Sequence, residues 1–226
     1  MPFPKKKRTT KYVRKGNKGV RTPIKTIVKK EIMKQAETKA QLTVHTEANL
    51  GTTLSSPNNW YSLNNINKGT ESHQRVGNKI NPTFLDVRGS LMANVNKQVY
   101  HKVMIISMNK QSDPLLDLLE DNAGAYSAAG QNLSAIYARI NTAKYQVLGT
   151  RVLKTGTSNG GNSEQLTQMF HFKIPMKGMT EFQEDENVAQ KRRIIILAFS
   201  REAGNDTTLG EAVEWTFNSK FYYKDM

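Results

Sequence analysis

The sequence predicts an all-β fold: an eight-stranded antiparallel jelly-roll sandwich with long loops, preceded by a basic N-terminal arm. Three observations carry this prediction. Apolar and polar residues alternate with a period of two in much of the chain after residue 40, which is typical of half-buried strands. Long connections rich in Asn, Gly and Ser separate these segments. The positive charge is concentrated in the first 34 residues.

Seven segments have strand character, and an eighth is possible. Three of them alternate clearly, namely Leu85–Val95, Leu166–Ile174 and Val213–Tyr223. Two are more continuously apolar, as expected of central strands covered on both faces, namely Val99–Met108 and Arg192–Ser200. Two are weaker, and the possible eighth is short; these are Gln41–Glu47, Lys144–Leu153 and Met179–Phe182.

The connections between these strands are long for a hairpin sandwich. They span residues 48–83, 109–143 and 175–191, and loops of this length usually carry function or become ordered at interfaces. One body segment, Asp113–Asp121, predicts a helix with Asp113 as its N-cap and Pro114 in its first turn. No repeat of 20–50 residues is visible, which argues against a propeller or a solenoid. A jelly roll is the commonest sandwich that fits.

The net charge of +14 belongs almost entirely to one end of the chain. Residues 1–34 contain thirteen Lys and Arg against one acid, Glu31, which gives +12. Residues 35–226 contain twenty Lys and Arg against eighteen acids, which gives +2. The sequence therefore predicts two parts, a basic arm over residues 1–37 and a nearly neutral shell domain over residues 38–226.

The arm is predicted to bind nucleic acid through its cations, because each phosphate that they neutralise releases counterions. With few aromatic residues it has no stacking platform, so the binding is expected to be electrostatic and independent of sequence. The predicted binding residues are Lys5, Lys6, Lys7, Arg8, Lys11, Arg14, Lys15, Lys18, Arg21, Lys25, Lys29, Lys30 and Lys34.

Two parts of the arm have further character. Pro4-Lys5-Lys6-Lys7-Arg8 resembles a nuclear localisation signal. Residues 1–21 contain too few apolar side chains to offset their ordering entropy and are expected to be disordered when free. Residues 23–37 place Ile24, Ile27, Val28 and Ile32 at helical spacing. This pattern predicts a short amphipathic helix that joins the arm to the body or forms only on binding, and the alternative is a frayed linker.

Catalytic, cofactor and metal sites are not expected. The chain has no cysteine, which excludes disulfides and thiolate ligands, and none of its four histidines forms a metal-spaced pair. His101 and His171 are interpreted as hydrogen-bonded sheet residues. Glu184-Asp185-Glu186 is either a solvated acidic loop or a calcium site, and the adjacent Lys191-Arg192-Arg193 either pairs with these acids or extends a cationic surface.

Membrane association is not expected either, because no apolar run approaches the roughly 20 residues of a transmembrane helix. The basic N-terminus is not followed by the apolar segment of a secretory signal.

One motif lies directly before a predicted strand. Residues 74–80 contain Arg75, Gly77 and Ile80 in an Arg-x-Gly-x-x-Ile pattern, and they run into Thr83–Leu91. Together with the basic arm and the β-rich body, this segment resembles capsid proteins of circular Rep-encoding single-stranded DNA viruses, of circovirus-like type. The sequence departs from many of these proteins at Gly149-Thr150-Arg151, where an acidic residue is expected.

The resemblance implies a jelly-roll coat protein, not an enzyme, that assembles with itself into a small icosahedral shell of about sixty copies. It also implies that the arm packages single-stranded DNA, or RNA in recombinant particles, without a cofactor. The implied locations are the virion and, during assembly, the host nucleus, with the nuclear import machinery as a partner. The alternative is a cellular nucleic-acid-binding protein, ribosomal or chromatin-associated, with a basic extension.

Overall fold

The computed structural model describes residues 36–47, 50, 59–93, 99–108, 118, 140–155, 166–202 and 213–226. These ranges contain ten strands and no α-helix. The strands are β1 (Thr38–Glu47), β2 (Trp60–Ser62), β3 (Lys79–Ala93), β4 (Val99–Met108), β5 (Tyr145–Thr155), β6 (Leu166–Pro175), β7 (Thr180–Phe182), β8 (Ala189–Lys191), β9 (Arg193–Glu202) and β10 (Val213–Asp225).

The strands form two antiparallel sheets. In the first sheet the order is β1-β10-β3-β6, and the short strands β7 and β8 extend from the end of β3 on the same side as β6. In the second sheet the order is β2-β9-β4-β5. Eight of the strands therefore form nested pairs along the chain, namely β1 with β10, β2 with β9, β3 with β6 and β4 with β5. This is the order of a jelly roll, and the predicted eight-stranded sandwich is confirmed, with β7 and β8 as additions.

The predicted strands are all present. Val99–Met108 has the predicted bounds, whereas β3 begins six residues before the predicted Leu85 because Pro82 obscures the start of the alternation. The strands β2 and β8 were not predicted. Each is only three residues long, which is too short for a period of two to be recognised.

The space between the two sheets is filled by alternate residues of the facing strands. The alternation predicted for Leu85–Val95 is confirmed as far as Ala93, and the alternation of Val213–Tyr223 is confirmed throughout. Gly89 interrupts the inward row of β3 for a steric reason. A Cβ atom there would lie 2.4 Å from the ring of Phe170 and 2.5 Å from the carbonyl oxygen of Thr216. The buried inward residues include Leu85, Val87, Leu91, Val103, Ile105, Ile194, Ile196, Trp215, Phe217 and Phe221.

A second apolar cluster lies on the outer face of the second sheet. It consists of the other face of β4 and β9, where Met104, Ile106, Ile195, Leu197 and Phe199 are buried. Leu118 and Ile140, from the long connection between β4 and β5, and Trp60 from β2 complete this cluster. These two strands are therefore covered on both faces, as their continuous apolar sequences predict.

Several predictions fall on residues that the structure does not describe. The possible helix over residues 23–37 lies almost entirely outside the described residues, as does Asp113–Asp121 apart from Leu118. The division between arm and shell domain at residue 37 likewise stays a prediction, with the first strand beginning at Thr38. Within the described ranges, no helix has the length and apolar character needed to span a membrane.

Candidate nucleic-acid interface

The thirteen cations predicted to bind nucleic acid lie outside the described residues, and so does Pro4 of the nuclear-localisation-like cluster. Their function therefore stays a prediction from the sequence. The described body contains the Arg75 motif, the acidic loop, two of the discussed histidines and the outer surfaces of both sheets.

Arg75 of the motif is completely buried. All five of its N–H groups face acceptors, which are the backbone carbonyls of Ile66, Gly77, Gln183 and Glu186 and the Oδ1 of Asn78. The guanidinium also lies 4.4 Å from the ring centroid of Phe182. Burial lowers the pKa of Arg75, while the nearby Asp185 and Asp225 act to raise it. Arg75 thus ties its own loop, from Ile66 to Asn78, to the loop of Gln183 and Glu186, which is more than a hundred residues away in sequence.

Gly77 and Ile80 serve the same junction. The Gly77 carbonyl accepts a hydrogen bond of 2.6 Å from Arg75, and a Cβ atom at Gly77 would lie 3.2 Å from the backbone oxygen of Met226. Ile80 is fully buried and pairs with Thr180 and Asp225 on the strands at either side. The motif therefore holds together the described loops and strand ends around it, and none of its three residues offers a ligand-binding side chain at the surface.

The acidic loop is engaged in ion pairs and hydrogen bonds within the body. Glu184 and Asp185 lie 3.9 and 3.6 Å from the Nζ of Lys68, and the Glu186 carbonyl accepts a hydrogen bond from Arg75. Lys191 pairs with Glu181 at 3.8 Å instead of with this loop. In the described part of the chain, no group of three or more His, Asp or Glu residues is placed to hold a metal ion.

Arg192 and Arg193 make their contacts away from the acidic loop. Arg193 lies 5.2 Å from the Trp60 ring centroid and donates a hydrogen bond to Ser62. Arg192 has a positive φ of 63° and lies against Gly178, which has a φ of 91°. Burial lowers the pKa of both arginines. The structure therefore does not place these three cations against Glu184-Asp185-Glu186.

His101 and His171 are hydrogen-bonded strand residues, as predicted. His101 is fully buried between the hydroxyl groups of Ser200 and Thr155, with one ring nitrogen 2.7 Å from each. His171 lies on the surface, where its Nε2 is 2.7 Å from Asp86. Neither ring adjoins a nucleophile and a carboxylate in the arrangement that nucleophilic catalysis requires.

Burial of His101 makes the stability of the body depend on pH. Desolvation lowers the pKa of His101 from 6.5 to about 4, so below pH 6.5 the unfolded chain takes up a proton that the folded chain does not. Stability is therefore lost as the pH falls from 6.5 towards 4, by about 3 kcal/mol in total. Urea unfolding at pH 7 and pH 4.5 should show this loss, and it should be much smaller in His101→Gln. His171→Gln is the control and should keep the loss; an equal pH dependence in all three proteins would contradict the prediction.

The outward face of β1, β10, β3 and β6, termed the open face below, is exposed to solvent. Leu42, Val44 and Met169 on this face are 61%, 65% and 81% exposed. Across it, Asp86 of β3 lies opposite Lys220 of β10 on one side and Lys173 of β6 on the other. The second sheet differs, because its outer apolar cluster is covered.

Asp86 is the centre of a small charged group on the open face. Arg88 donates to Asp86 through Nη2 at 3.1 Å, and the Nε2 of His171 lies 2.7 Å from the other carboxylate oxygen. Partial burial acts to raise the pKa of Asp86, but the hydrogen bonds from Arg88 and His171 outweigh it and the pKa is lowered. Asp86 therefore carries its negative charge at neutral pH, where it contacts Arg88 and lies opposite Lys220 and Lys173 on the neighbouring strands.

No family model and no curated protein matches the chain. Among solved structures, the chain is similar to a chain of infectious bursal disease virus, Gx strain, with 11% identity over 84% of this chain and 33% of that one, at a TM-score of 0.29. It is also similar to a chain of the Macrobrachium rosenbergii nodavirus, with 10% identity over 83% and 58% of the two chains, at a TM-score of 0.31. The chain spans about a third of the length of the bursal disease virus chain. These scores are too low to support an argument about function.

The open-face cations were not singled out in the sequence. Arg88, Lys173 and Lys220 belong to three strands that are distant along the chain, and each was interpreted only as the polar half of an alternating strand. Their proximity depends on the pairing of β3 with both β10 and β6. The sequence indicates only that the polar positions of an alternating strand share one face of its sheet, and it does not indicate which strands are neighbours.

Proposed function

We propose that the protein is a viral capsid protein that assembles with itself into a closed shell and packages nucleic acid through its basic arm. One observation carries the proposal: a charge of +12 on residues 1–34 precedes a jelly-roll body with a sequence charge of only +2. A nearly neutral body packs against copies of itself without strong repulsion, whereas the arms repel one another until an anion neutralises them. Assembly and genome capture are therefore coupled.

The total positive charge of the arms in one shell suits a small genome. A shell of about sixty copies would hold roughly 700 arm charges, which matches in order of magnitude a polyanion of about a thousand nucleotides. Modest contacts repeated by closed symmetry would stabilise such a shell. Under this proposal the cargo is single-stranded DNA, and Pro4–Arg8 directs the protein to the host nucleus for assembly.

The body is proposed to act as structure and not as an enzyme. Its buried histidine has two hydroxyl partners, and its buried arginine has five acceptors within the fold. These two buried polar side chains thus serve the packing of strands and loops. Under this proposal the long connections between strands contribute contacts between copies.

Assembly of the purified full chain tests the proposal. Sedimentation velocity and negative-stain electron microscopy, with and without single-stranded DNA, should show closed particles of uniform diameter. We expect particle formation at about 0.15 M salt to require the DNA, because the arms otherwise repel one another. A protein that stays a monomer or dimer at low and high salt, with and without nucleic acid, would contradict it. A defined sequence-selective complex would favour a cellular nucleic-acid-binding protein.

A further inference from the structure

The two outer faces of the sandwich differ in how they are covered. The second sheet buries its outer residues, including Met104, Leu197 and Phe199, in a cluster with Leu118 and Ile140. In the part of the chain that the structure describes, no comparable cluster covers the open face of the first sheet, and Leu42 and Met169 on it are 61% and 81% exposed. An open sheet face with apolar and charged side chains is a candidate binding surface.

Cations dominate the middle of the open face. Arg88, Lys173 and Lys220 flank the single carboxylate of Asp86, and His171 also contacts that carboxylate. Since neighbouring strands lie about 4.8 Å apart, these groups fall within roughly 10 Å of one another. Glu214 of β10 is a second outward acid on this face, and it lies six residues from Lys220, about 20 Å along the strand. The local charge is therefore positive.

Aromatic side chains adjoin these cations on the same face. Phe84 of β3 and Tyr222 of β10 are paired in register, and their ring centroids are 6.1 Å apart. The Nζ of Lys220 lies 5.1 Å from the centroid of the Tyr222 ring. Both rings are partly exposed. Cations beside accessible aromatic rings are the combination that binds single-stranded nucleic acid without regard to sequence, because phosphates meet the charges and bases stack on the rings.

We propose that the open face is a second binding site for single-stranded nucleic acid, formed by the folded body and separate from the arm. Arg88, Lys173 and Lys220 contact phosphates, and Phe84 and Tyr222 provide the surface for bases. The inference rests on the proposed packaging function and assigns one side of the sandwich to the cargo. Charge favours this occupant over a second copy of the same face, because two such copies would place like charges opposite one another.

A triple substitution in the full chain tests the charged part of the site. Arg88→Gln, Lys173→Gln and Lys220→Gln remove three exposed cations, and the matched control Arg151→Gln, Lys144→Gln and Lys154→Gln removes one exposed arginine and two exposed lysines on or beside β5 of the second sheet. Binding of fluorescent oligo(dT) is measured by anisotropy from about 50 to 200 mM salt. The open-face variant should lose at least about tenfold in affinity. The negative slope of log K against log salt should become shallower by about 2, because three phosphate contacts are lost. The control should lose less than about threefold.

A second substitution tests the stacking part. Tyr222→Leu should weaken oligo(dT) binding by about tenfold without changing the salt slope, since stacking releases no counterions. Tyr100→Leu, on the outer side of the second sheet, is its control and should bind as the unchanged chain does. Circular dichroism and thermal unfolding of each variant establish that the fold is retained.

The outcomes separate this inference from the proposed function. If both open-face variants match their controls while the unchanged chain still forms DNA-filled particles, the second site is wrong and the packaging proposal stands. If the triple variant loses particle formation but keeps its DNA affinity, the open face is a contact between copies and the inference is overturned. If the unchanged chain neither binds DNA nor assembles, both proposals fail.

Discussion

Replacing the thirteen arm cations between Lys5 and Lys34 by Gln is expected to lower the affinity for single-stranded DNA at least about a thousandfold at 0.15 M salt. The reason is that each arm cation bound to a phosphate releases counterions, and the slope of log K against log salt changes by about 0.7 for each contact with a single strand. Fluorescence anisotropy with oligo(dT) over a salt series measures both quantities. The same variant should fail to form DNA-filled particles.

A permuted arm is the matched control for this experiment. It keeps the thirteen cations and the length of residues 1–34 but changes their order. Because the binding is expected to depend on charge and not on sequence, the permuted chain should bind DNA within about threefold of the original. A neutral arm that leaves the affinity unchanged would show that the body alone binds DNA. A permuted arm that fails would show that the order of residues matters.

Arg75→Met is expected to lower the free energy of unfolding of the body by about 3–5 kcal/mol. The methionine fills most of the volume but offers no donor, so it leaves five acceptors in the loop junction without their partner. Arg75→Lys should recover little of this loss, because an ammonium group has three donors and cannot reproduce the planar geometry of the guanidinium. Urea unfolding at pH 7 measures the difference.

Arg88→Met is the matched control, since the Arg88 side chain is 67% exposed and pairs only with neighbouring surface groups such as Asp86. The free energy of unfolding of this variant should stay close to that of the unchanged chain. A loss below about 1 kcal/mol for Arg75→Met would mean that the loops readjust or that water replaces the guanidinium. The interpretation of the motif as the structural junction of these loops would then be wrong.

The strands were predictable because their signal is local. In Val213–Tyr223 each inward position is apolar or aromatic, apart from Ser219, and most outward positions are polar, so the period of two can be recognised without knowing the partner strands. The continuous apolar character of Val99–Met108 likewise indicated a strand covered on both faces. The three-residue strand Trp60–Ser62 carries too little pattern to be recognised, and it exists because β9 provides its hydrogen-bonding partner.

The candidate sites were predictable to different degrees. The arm is evident from composition alone, because thirteen cations in 34 residues are obvious without a structure. Arg75 was noticed only through a family resemblance, and nothing in its sequence neighbours indicates that a guanidinium would be fully buried. Two of its acceptors, at Gln183 and Glu186, lie more than a hundred residues away along the chain. Such burial depends on loops that only the folded sandwich brings together.

The sequence by itself determined the β-rich class, the inward and outward positions along each long strand, and the separation of a +12 segment from a +2 remainder. The tertiary structure decided which strands are neighbours. It placed β1 beside β10, it enclosed Arg75, and it gathered Arg88, Lys173 and Lys220 around Asp86. The physical reason is the distance along the chain over which each property is set. Alternation and charge are properties of adjacent residues, whereas a jelly roll pairs strands by shape and burial across most of the chain length.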